Sequence, residues 1–434
     1  MANIVVAIYN SLRRVNGIFP YVETFLNGLR DRGNNVLCFE KIAAELEISS
    51  ELPLKYKEKI EQFKPDLFIL FNNQFWDVSK YFDVPVVIYD IDSPNVYANV
   101  NLLKENKKFK YFCITKSGKN IIKEVIGCEE SDICYIPPFT GVIAQSLPNE
   151  RAIGFCGSHW LWNDLNEFNK FILQNPSKQD KENAKRVYKE YKENSYLLPS
   201  QIYENLGINA VNKIETNNLY IFSTRISGIK RLRYLLEIED LGLEIRGEHW
   251  NNMTCHMLKA FPELLLSYSS EVINNTLTTQ NFYNSSKIGF NTTHIQAKTG
   301  FGWRVADILA SNACLVTEKS SDLLELGFDI PTYSTPAEAR ELCIKLLNDE
   351  PYRQSIVEKC HELIDKNHRF SNVLPLMEEF LNMNLHSENV GTLEFIRTDC
   401  KSKKGPLLKV KLKDKIRLKI YKYLDKKLKR KNLI

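Results

Sequence analysis

The sequence predicts an α/β protein of two doubly wound parallel-sheet domains followed by a basic helical tail. Three observations carry that expectation. Short apolar runs alternate with segments of helical period through the first third, and the alternation returns after a proline-rich break. At 434 residues the chain exceeds one ordinary core. Residues 401–434 hold fifteen Lys and Arg against Asp414 and Asp425.

Taken in order, "NIVVAIY" (3–9), "NVLCFE" (35–40), "LFILF" (67–71), "PVVIYD" (85–90), "KYFCIT" (110–115) and "ICYIPP" (133–138) read as buried strands. Their near-continuous apolar character fits strands covered on both faces. "FPYVETFLNGLRDRG" has apolar residues at helical spacing and stops at Gly33. "IPPFTGVIAQSLPNERA" (136–152) breaks the rhythm as a linker would. The domains expected are 1–145, then 146–385, with a Lys-, Glu- and Asn-rich helical insertion at about 163–215. Strand candidates of the second domain are "IGFCGS" (153–158), "NLYIFS" (218–223), "LEIRGE" (243–248), "KIGFNTT" (287–293), "ACLVTEK" (313–319) and "DIPTYS" (329–334). Three helices close it, and 386–434 is expected to form the tail.

Composition narrows the class. The net charge of +5 combines a tail of +13 with a mildly acidic body of −8, so overall basicity says little about a site. No run of ~18 apolar residues is present, which predicts a cytoplasmic chain without a membrane span. The ten cysteines form no CxxC pair and no Cys/His ligand spacing, so reduced core thiols are expected rather than zinc or a disulfide framework.

The second half holds most of the candidate chemistry. "STRISGIKRLRYLL" reads as a strand-to-helix turn, with Arg225 and Lys230 flanking Gly228. Such a turn suits a diphosphate, while a solvated basic helix start accounts equally for Arg231 and Arg233. Gly247 ends a strand where a ligand could approach the backbone, and Trp250 could cover a flat group. His249 reads as a surface or packing residue. In "KTGFGWRVAD", Gly300 and Gly302 precede a helix whose first turn carries Arg304, a place for a cation only if an anion lies near. Asp307 could accept from ribose hydroxyls or be a surface acid.

"IGFCGS", "RISGIKRLRYLLEIEDLGLEIRGEHW", "NFYNSSKIGFNTTHIQAKTGFGWRVADILASNACLVTEKSSDLLE" and "HRFSNVLPLMEEFL" together resemble glycosyltransferases related to the spore-maturation protein CgeB. These form a branch of the group-1-like enzymes of GT-B architecture. The resemblance implies two Rossmann-like domains facing a cleft, with a nucleotide-sugar on the C-terminal one. It implies that Arg225 and Lys230 hold the diphosphate, and that Asp307 takes the second place of a Glu-x7-Glu motif, at the ribose. Thr299 occupies the first place, where the family often carries an acid. Asn16 and Gly17 resemble a loop that reaches donor phosphate or acceptor on closure. Asp90 and Asp92, in "YDIDSPN", stand at a strand end where relatives often have a His-Asp pair, and either could serve as the base. "DID" resembles a metal-binding DxD string, but the family commonly needs no metal, so no metal or other cofactor is expected beyond the nucleotide-sugar co-substrate.

The tail places Leu412, Ile416, Ile420, Leu424 and Leu428 at i+4 intervals among cations, a pattern suited to an anionic membrane surface. Packing on the body is the other reading, and no nucleic-acid module is present. The expectation is therefore a cytoplasmic, peripherally attached glycosyltransferase acting on a surface glycan or lipid-linked acceptor. A silent scaffold of the same fold and a sugar-nucleotide epimerase are the alternatives.

Overall fold

The computed structural model describes residues 1–10, 17–42, 51–92, 94, 97, 100–105, 109–157, 178–193, 204–207, 216–247, 261–294, 300, 302–398, 416, 420 and 423. Two parallel sheets organise them. The first contains β1 (Asn3–Asn10), β2 (Asn35–Ile42), β3 (Leu67–Phe71), β4 (Val86–Asp90), β5 (Phe109–Cys113) and β6 (Ile133–Tyr135). The second contains β7 (Arg151–Cys156), β8 (Leu243–Gly247), β9 (Tyr268–Val272), β10 (Ser286–Asn291), β11 (Cys314–Glu318) and β12 (Thr332–Tyr333). A late strand, β13 (Leu393–Thr398), returns to the first sheet. The orders are β13-β2-β1-β3-β4-β5-β6 and β12-β11-β10-β7-β8-β9.

Period-2 alternation explains why the first sheet reads as continuous apolar runs. Ile4, Val6 and Ile8 of β1 enter one core with Leu67, Ile69 and Phe71 of β3, while Val5, Ala7, Phe68 and Leu70 enter the core on the opposite face. Helix α1 (Pro20–Asp31) covers the first face with Val22, Phe25, Leu26 and Leu29. On the opposite side, α2 (Lys57–Phe63) buries Ile60. Helices α3 (Val100–Glu105) and α4 (Lys116–Ile126) follow β4 and β5.

The second sheet is covered by α6 (Thr216–Glu237), α7 (Thr276–Asn284), α8 (Trp303–Leu309), α10 (Pro336–Asn348) and α11 (Glu350–Asn367), with the short α9 (Ser321–Glu325) following β11. Helix α5 (Lys178–Glu193) lies in the expected insertion.

The chain crosses between the bodies twice. Residues 136–150 pass from β6 to β7, and α12 (Phe370–Leu381) carries the chain back. Phe370, Val373, Leu374 and Met377 of α12 lie at i, i+3, i+4 and i+7 and sit in the core of the first sheet, beside α1. The two crossings are bonded to each other: Thr140 N–H donates to the His368 carbonyl at 3.0 Å, and Arg369 Nη1 donates to the Thr140 and Val142 carbonyls. This is a paired hinge rather than a lone tether.

Three sequence expectations change here. "NLYIFS" is helical, so α6 runs unbroken through Arg225, Gly228 and Lys230 and no strand-to-helix turn exists there. A run of four apolar residues does not by itself separate strand from helix. Residues 386–398 begin the expected tail, yet Leu393–Thr398 pair with Val36–Lys41 as a parallel edge strand. Strand β9, in "LLLSYSSEV", was not anticipated. The described cysteines are all free, and five are buried.

The carboxyl-end loops of the two sheets meet. Trp303 leaves α8 and inserts into the core of the first sheet, 6% exposed. It stacks on Tyr21 with centroids 4.1 Å apart and planes at 14°, and meets Tyr89 edge-on at 6.0 Å. On one flank, Glu23 Oε2 accepts from Thr276 N–H and Oγ1, each at 2.7 Å. On the other, Asp322 Oδ2 accepts from Lys116 N–H at 3.2 Å and Lys116 pairs with Glu325 at 2.5 Å. The surface pairs add little individually, whereas the buried indole dominates the contact. Trp303→Ala is expected to cost about 3–5 kcal/mol, read as a lower urea midpoint; an unchanged midpoint would remove Trp303 as the main interdomain anchor.

Candidate functional site

The site divides into an acidic half on the first sheet and a cationic half on the second. On the first, β4 ends at Asp90 and the chain turns through Ile91 and Asp92. Their environments differ. Asp90 is buried and takes a hydrogen bond from the Tyr97 hydroxyl. Burial lifts its pKa to about 7 against the Tyr97 bond, which acts to lower it. Asp90 therefore holds the turn and does not face open space, which removes it as a base candidate. Because its folded pKa is raised, the native state holds a proton that the unfolded chain releases above 3.8, so stability falls between pH 3.8 and about 7. Asp90→Asn is expected to flatten that part of a stability-versus-pH curve; an unaltered slope would contradict the assignment.

Asp92 is open to a cavity of about 180 Å³ lined by Ile8, Tyr9, Phe19, Tyr21, Val22, Phe71, Asn72 and Ile91. The protein mass crowded around the cleft raises its pKa, partly offset by a bond from Asn72 Nδ2 at 2.5 Å. Asn72 Oδ1 accepts from the Ile91 and Asp92 N–H groups at 2.9 and 3.0 Å, so one side chain fixes both backbone and carboxylate. Asn72 does so from a left-handed backbone, φ 48°, followed by Asn73 at φ 62°. Asn tolerates this conformation better than other side chains, which lets Asn72 reach back to the turn.

On the second sheet, Arg231 is 1% exposed. Its Nε donates to Thr292 Oγ1 at 2.7 Å and its Nη2 to the Thr292 carbonyl at 2.9 Å. The Arg231 and Arg304 guanidinium carbons lie 5.2 and 5.8 Å from the Phe155 ring centroid. Burial, then the neighbouring Arg304 charge, push Arg231 well below the ordinary guanidinium value. Glu318 acts in the opposite direction, and a guanidinium does not surrender its proton in a protein, so Arg231 is a buried cation held by Thr292. Lys230 pairs with Glu318 at 2.8 Å, and Glu318 also accepts from Thr293 N–H at 2.6 Å. His294 is held neutral, its pKa depressed to about 3 by burial and by Arg231 and Lys230.

The structure places the remaining expected residues differently. Arg225 and Lys230 stand five residues apart on one helix, about 140° around its axis, rather than across a strand-to-helix turn. The Arg225 side chain lies outside the described residues. Asp307 turns to the hinge: Thr140 Oγ1 donates to its Oδ1 at 2.6 Å, and burial lifts its pKa to about 7 against Thr140, Arg304 and Arg369. Asp307 thus braces the linker instead of presenting a carboxylate to ribose. A Cβ on Gly247 would meet the Gly157 carbonyl oxygen at 2.4 Å, and one on Gly300 would meet Thr115 Cγ2 at 2.1 Å. Strand-end and interdomain packing account for both glycines. Gly302 borders open space beside Arg304, and Gly17 rests against Asn274 across the interface. Asn16, His249, Trp250 and Thr299 lie outside the described residues. Among the described residues, no three His, Cys, Asp or Glu side chains converge as metal ligands.

Residues 229–381 match the family model described as glycosyl transferase-like. Lys230, Arg231, Arg304 and Glu318 all fall inside that segment. Among curated proteins, none matches the chain significantly. Solved structures similar to it include a glycosyltransferase from Rickettsia africae ESF-5, at 12% identity and TM-score 0.46, covering 88% of this chain and 99% of that one. Anabaena Alr3699/HepE in complex with UDP-glucose shares 11% identity at TM-score 0.48, covering 88% and 99%. T4 phage BGT in complex with UDP and Mn2+ shares 10% identity at TM-score 0.47, covering 88% and 100%. Such likenesses assign no residue roles. The two Rossmann-like sheets meeting at their carboxyl ends are a GT-B architecture, and its second domain is glycosyltransferase-like.

Proposed function

We propose that this chain transfers a sugar from a nucleotide-sugar donor to an acceptor hydroxyl. One observation carries the reading: Lys230, Arg231 and Arg304 gather at the strand ends of the glycosyltransferase-like domain, while the stacked Trp303–Tyr21 pair links that cluster to the cavity of Asp92. Displacement at an anomeric carbon needs those two parts. The acceptor oxygen forms the new bond and its proton passes to Asp92. The bond to the diphosphate oxygen breaks, and its electron pair leaves onto a group whose charge Arg304 and Arg231 stabilise. Docking of the two domains through Trp303 excludes water from the reacting centre. Kinship with the CgeB-related branch, and a surface glycan or lipid-linked glycan as acceptor, accord with the motifs quoted above.

A panel of UDP-, GDP- and CMP-sugars tests the reading by hydrolysis, transfer and calorimetry. Absence of both turnover and nucleotide binding across the panel would sink it in favour of a silent scaffold.

Attachment to an anionic membrane surface belongs to the same proposal. Among the described residues no helix is long and apolar enough to cross a membrane. Of the expected apolar stripe, Ile416 and Ile420 are helical and exposed, as is Tyr423, and the other stripe positions lie outside the described residues. Truncation after Cys400 is expected to abolish flotation with anionic liposomes and leave turnover on soluble substrates intact. Undiminished flotation would remove the anchor.

A further inference from the structure

We infer that Glu23 and Asp322 are positioning residues that fix how the two domains sit on one another, each capping a helix of the opposite domain. Their consequence for turnover rests on the transferase reading.

The two capped helices share one deficiency. Helix α7 caps itself at Thr278, whose N–H donates to Asn275 Oδ1 at 2.8 Å. Helix α4 caps itself at Gly118, whose N–H donates to Thr115 Oγ1 at 3.0 Å. Both local caps leave the first N–H of the helix unserved, and neither helix has an acid in its first turn. Helix α4 even opens on Lys116, which the dipole disfavours. The carboxylate arrives from across the interface each time. Glu23, in the first turn of α1, accepts from Thr276 N–H and Oγ1, each at 2.7 Å. Asp322, from α9, accepts from Lys116 N–H at 3.2 Å. The arrangement is reciprocal.

A close backbone approach accompanies each cap. A Cβ on Gly17 would meet the Asn274 carbonyl oxygen at 2.4 Å, two residues before Thr276. One on Gly300 would meet Thr115 Cγ2 at 2.1 Å and Asp322 Oδ2 at 3.4 Å. Glycine lets the chain pass at both places. On each flank, then, acid and glycine belong to one domain and the helix start to the other.

Burial of the Trp303 indole supplies adhesion but little orientation, because apolar burial is non-directional. The caps supply direction. Glu23 follows β1 and Lys116 follows β5, and these strands are separated by β3 and β4, three strand spacings or about 14 Å. Trp303 meets Tyr21 after β1 and Tyr89 on β4, inside that span. Directional bonds on both sides of one hydrophobic contact oppose rotation about it. They thereby set Arg304, the next residue along α8, relative to Asp92 on the first domain. The exposed Lys116–Glu325 pair has no part in this.

Amide hydrogen exchange on the full chain tests the clasp without substrate, since exchange reports the open population even when the docked form dominates. Glu23→Gln and Asp322→Asn are each expected to raise exchange about fivefold on both flanks, residues 116–119 and 276–279 alike. The double variant should reach roughly 25-fold, because the two caps share no residue. Protection of β1 and β10 serves as the control for folding. Thr276→Pro removes the same N–H from the other side while suiting the first position of a helix, and is expected to give the same rise at 116–119. With a donor, the double variant should lose about tenfold or more in transfer and keep its nucleoside diphosphate affinity within about twofold. A rise confined to the substituted flank would reduce both acids to local caps and overturn the inference. Full-rate transfer by a double variant whose flanks exchange freely would overturn it too. Cross-flank exchange in a chain that turns over no nucleotide-sugar would keep the clasp and sink the transferase reading.

Discussion

Asp92→Asn is expected to lower transfer by about 10²–10⁴-fold while leaving nucleotide affinity unchanged. The substitution keeps the shape of the side chain and removes only its capacity to accept the acceptor's proton. Donor binding lies on the other domain, around Arg231 and Arg304, so a dissociation constant for the nucleoside diphosphate serves as an internal control. The pH profile gives a second, independent readout. A general base must be ionised, and crowding in the cleft raises the Asp92 pKa, so turnover falls on acidification through a value above the ordinary carboxylate range. The Asn72 amide bond opposes that rise. Asn72→Ala should therefore move the acid limb to still higher pH, which a purely structural role for Asn72 would not do. Wild-type turnover in Asp92→Asn, with an unshifted acid limb in Asn72→Ala, would dismiss the carboxylate as the base.

Legibility in the sequence tracked how local the determining physics was. Strands β1 to β5 were readable because both faces of the first sheet are buried, so apolar character persists along each strand. Strand β13 was not, because "LEFIRT" mixes apolar with charged and polar residues and lies at an edge, with Phe395 exposed and Arg397 bonded to Glu40. Its pairing partner is more than 350 residues away in the chain, and no local pattern announces that.

The cationic site failed in an instructive way. Arg231 was set aside with Arg233 as part of a solvated helix start, yet it is buried while its neighbours Leu232, Tyr234, Leu235 and Ile238 form core. A signal existed. Arg231 stands three, four and seven positions before Tyr234, Leu235 and Ile238, so helical period alone places it on the buried stripe. Asp307 shows the opposite limit. Its residue type and spacing suited ribose, but its partner is Thr140, in the linker 167 residues earlier, and only the tertiary fold reveals that bond. Asp92 was one of two acids the sequence offered at this strand end. What separates it from Asp90 is the short turn that buries one and opens the other to the cavity.

Arg304→Met is expected to reduce kcat by about 10²–10³-fold and to weaken nucleoside diphosphate binding, the loss for one preorganised donor to developing charge being roughly 2.7–4 kcal/mol. The argument begins with an unfavourable placement. Arg304 occupies the first turn of α8, where the helix dipole opposes a cation, and it stands close enough to Arg231 to depress that residue's pKa. The guanidinium also lies against Gly157, where a Cβ would approach its Nη2 to 2.8 Å. Asp307 is near enough to feel its charge, but burial keeps that acid's pKa at about 7 and its Oδ1 is taken by Thr140. Two guanidinium groups beside one phenyl ring place positive charge where a departing diphosphate gains negative charge during bond breaking. This is differential stabilisation of the transition state. Arg304→Lys should recover part of the binding and less of the rate, because an ammonium supplies charge without the planar fork that matches phosphate oxygens. Removing the charge should also make Arg231 easier to accommodate, so Arg304→Met is expected to match or exceed the parent in thermal stability while losing activity. A variant both fully active and unaltered in diphosphate affinity would move the donor phosphates away from Arg304, and with them the proposed chemistry of the second domain.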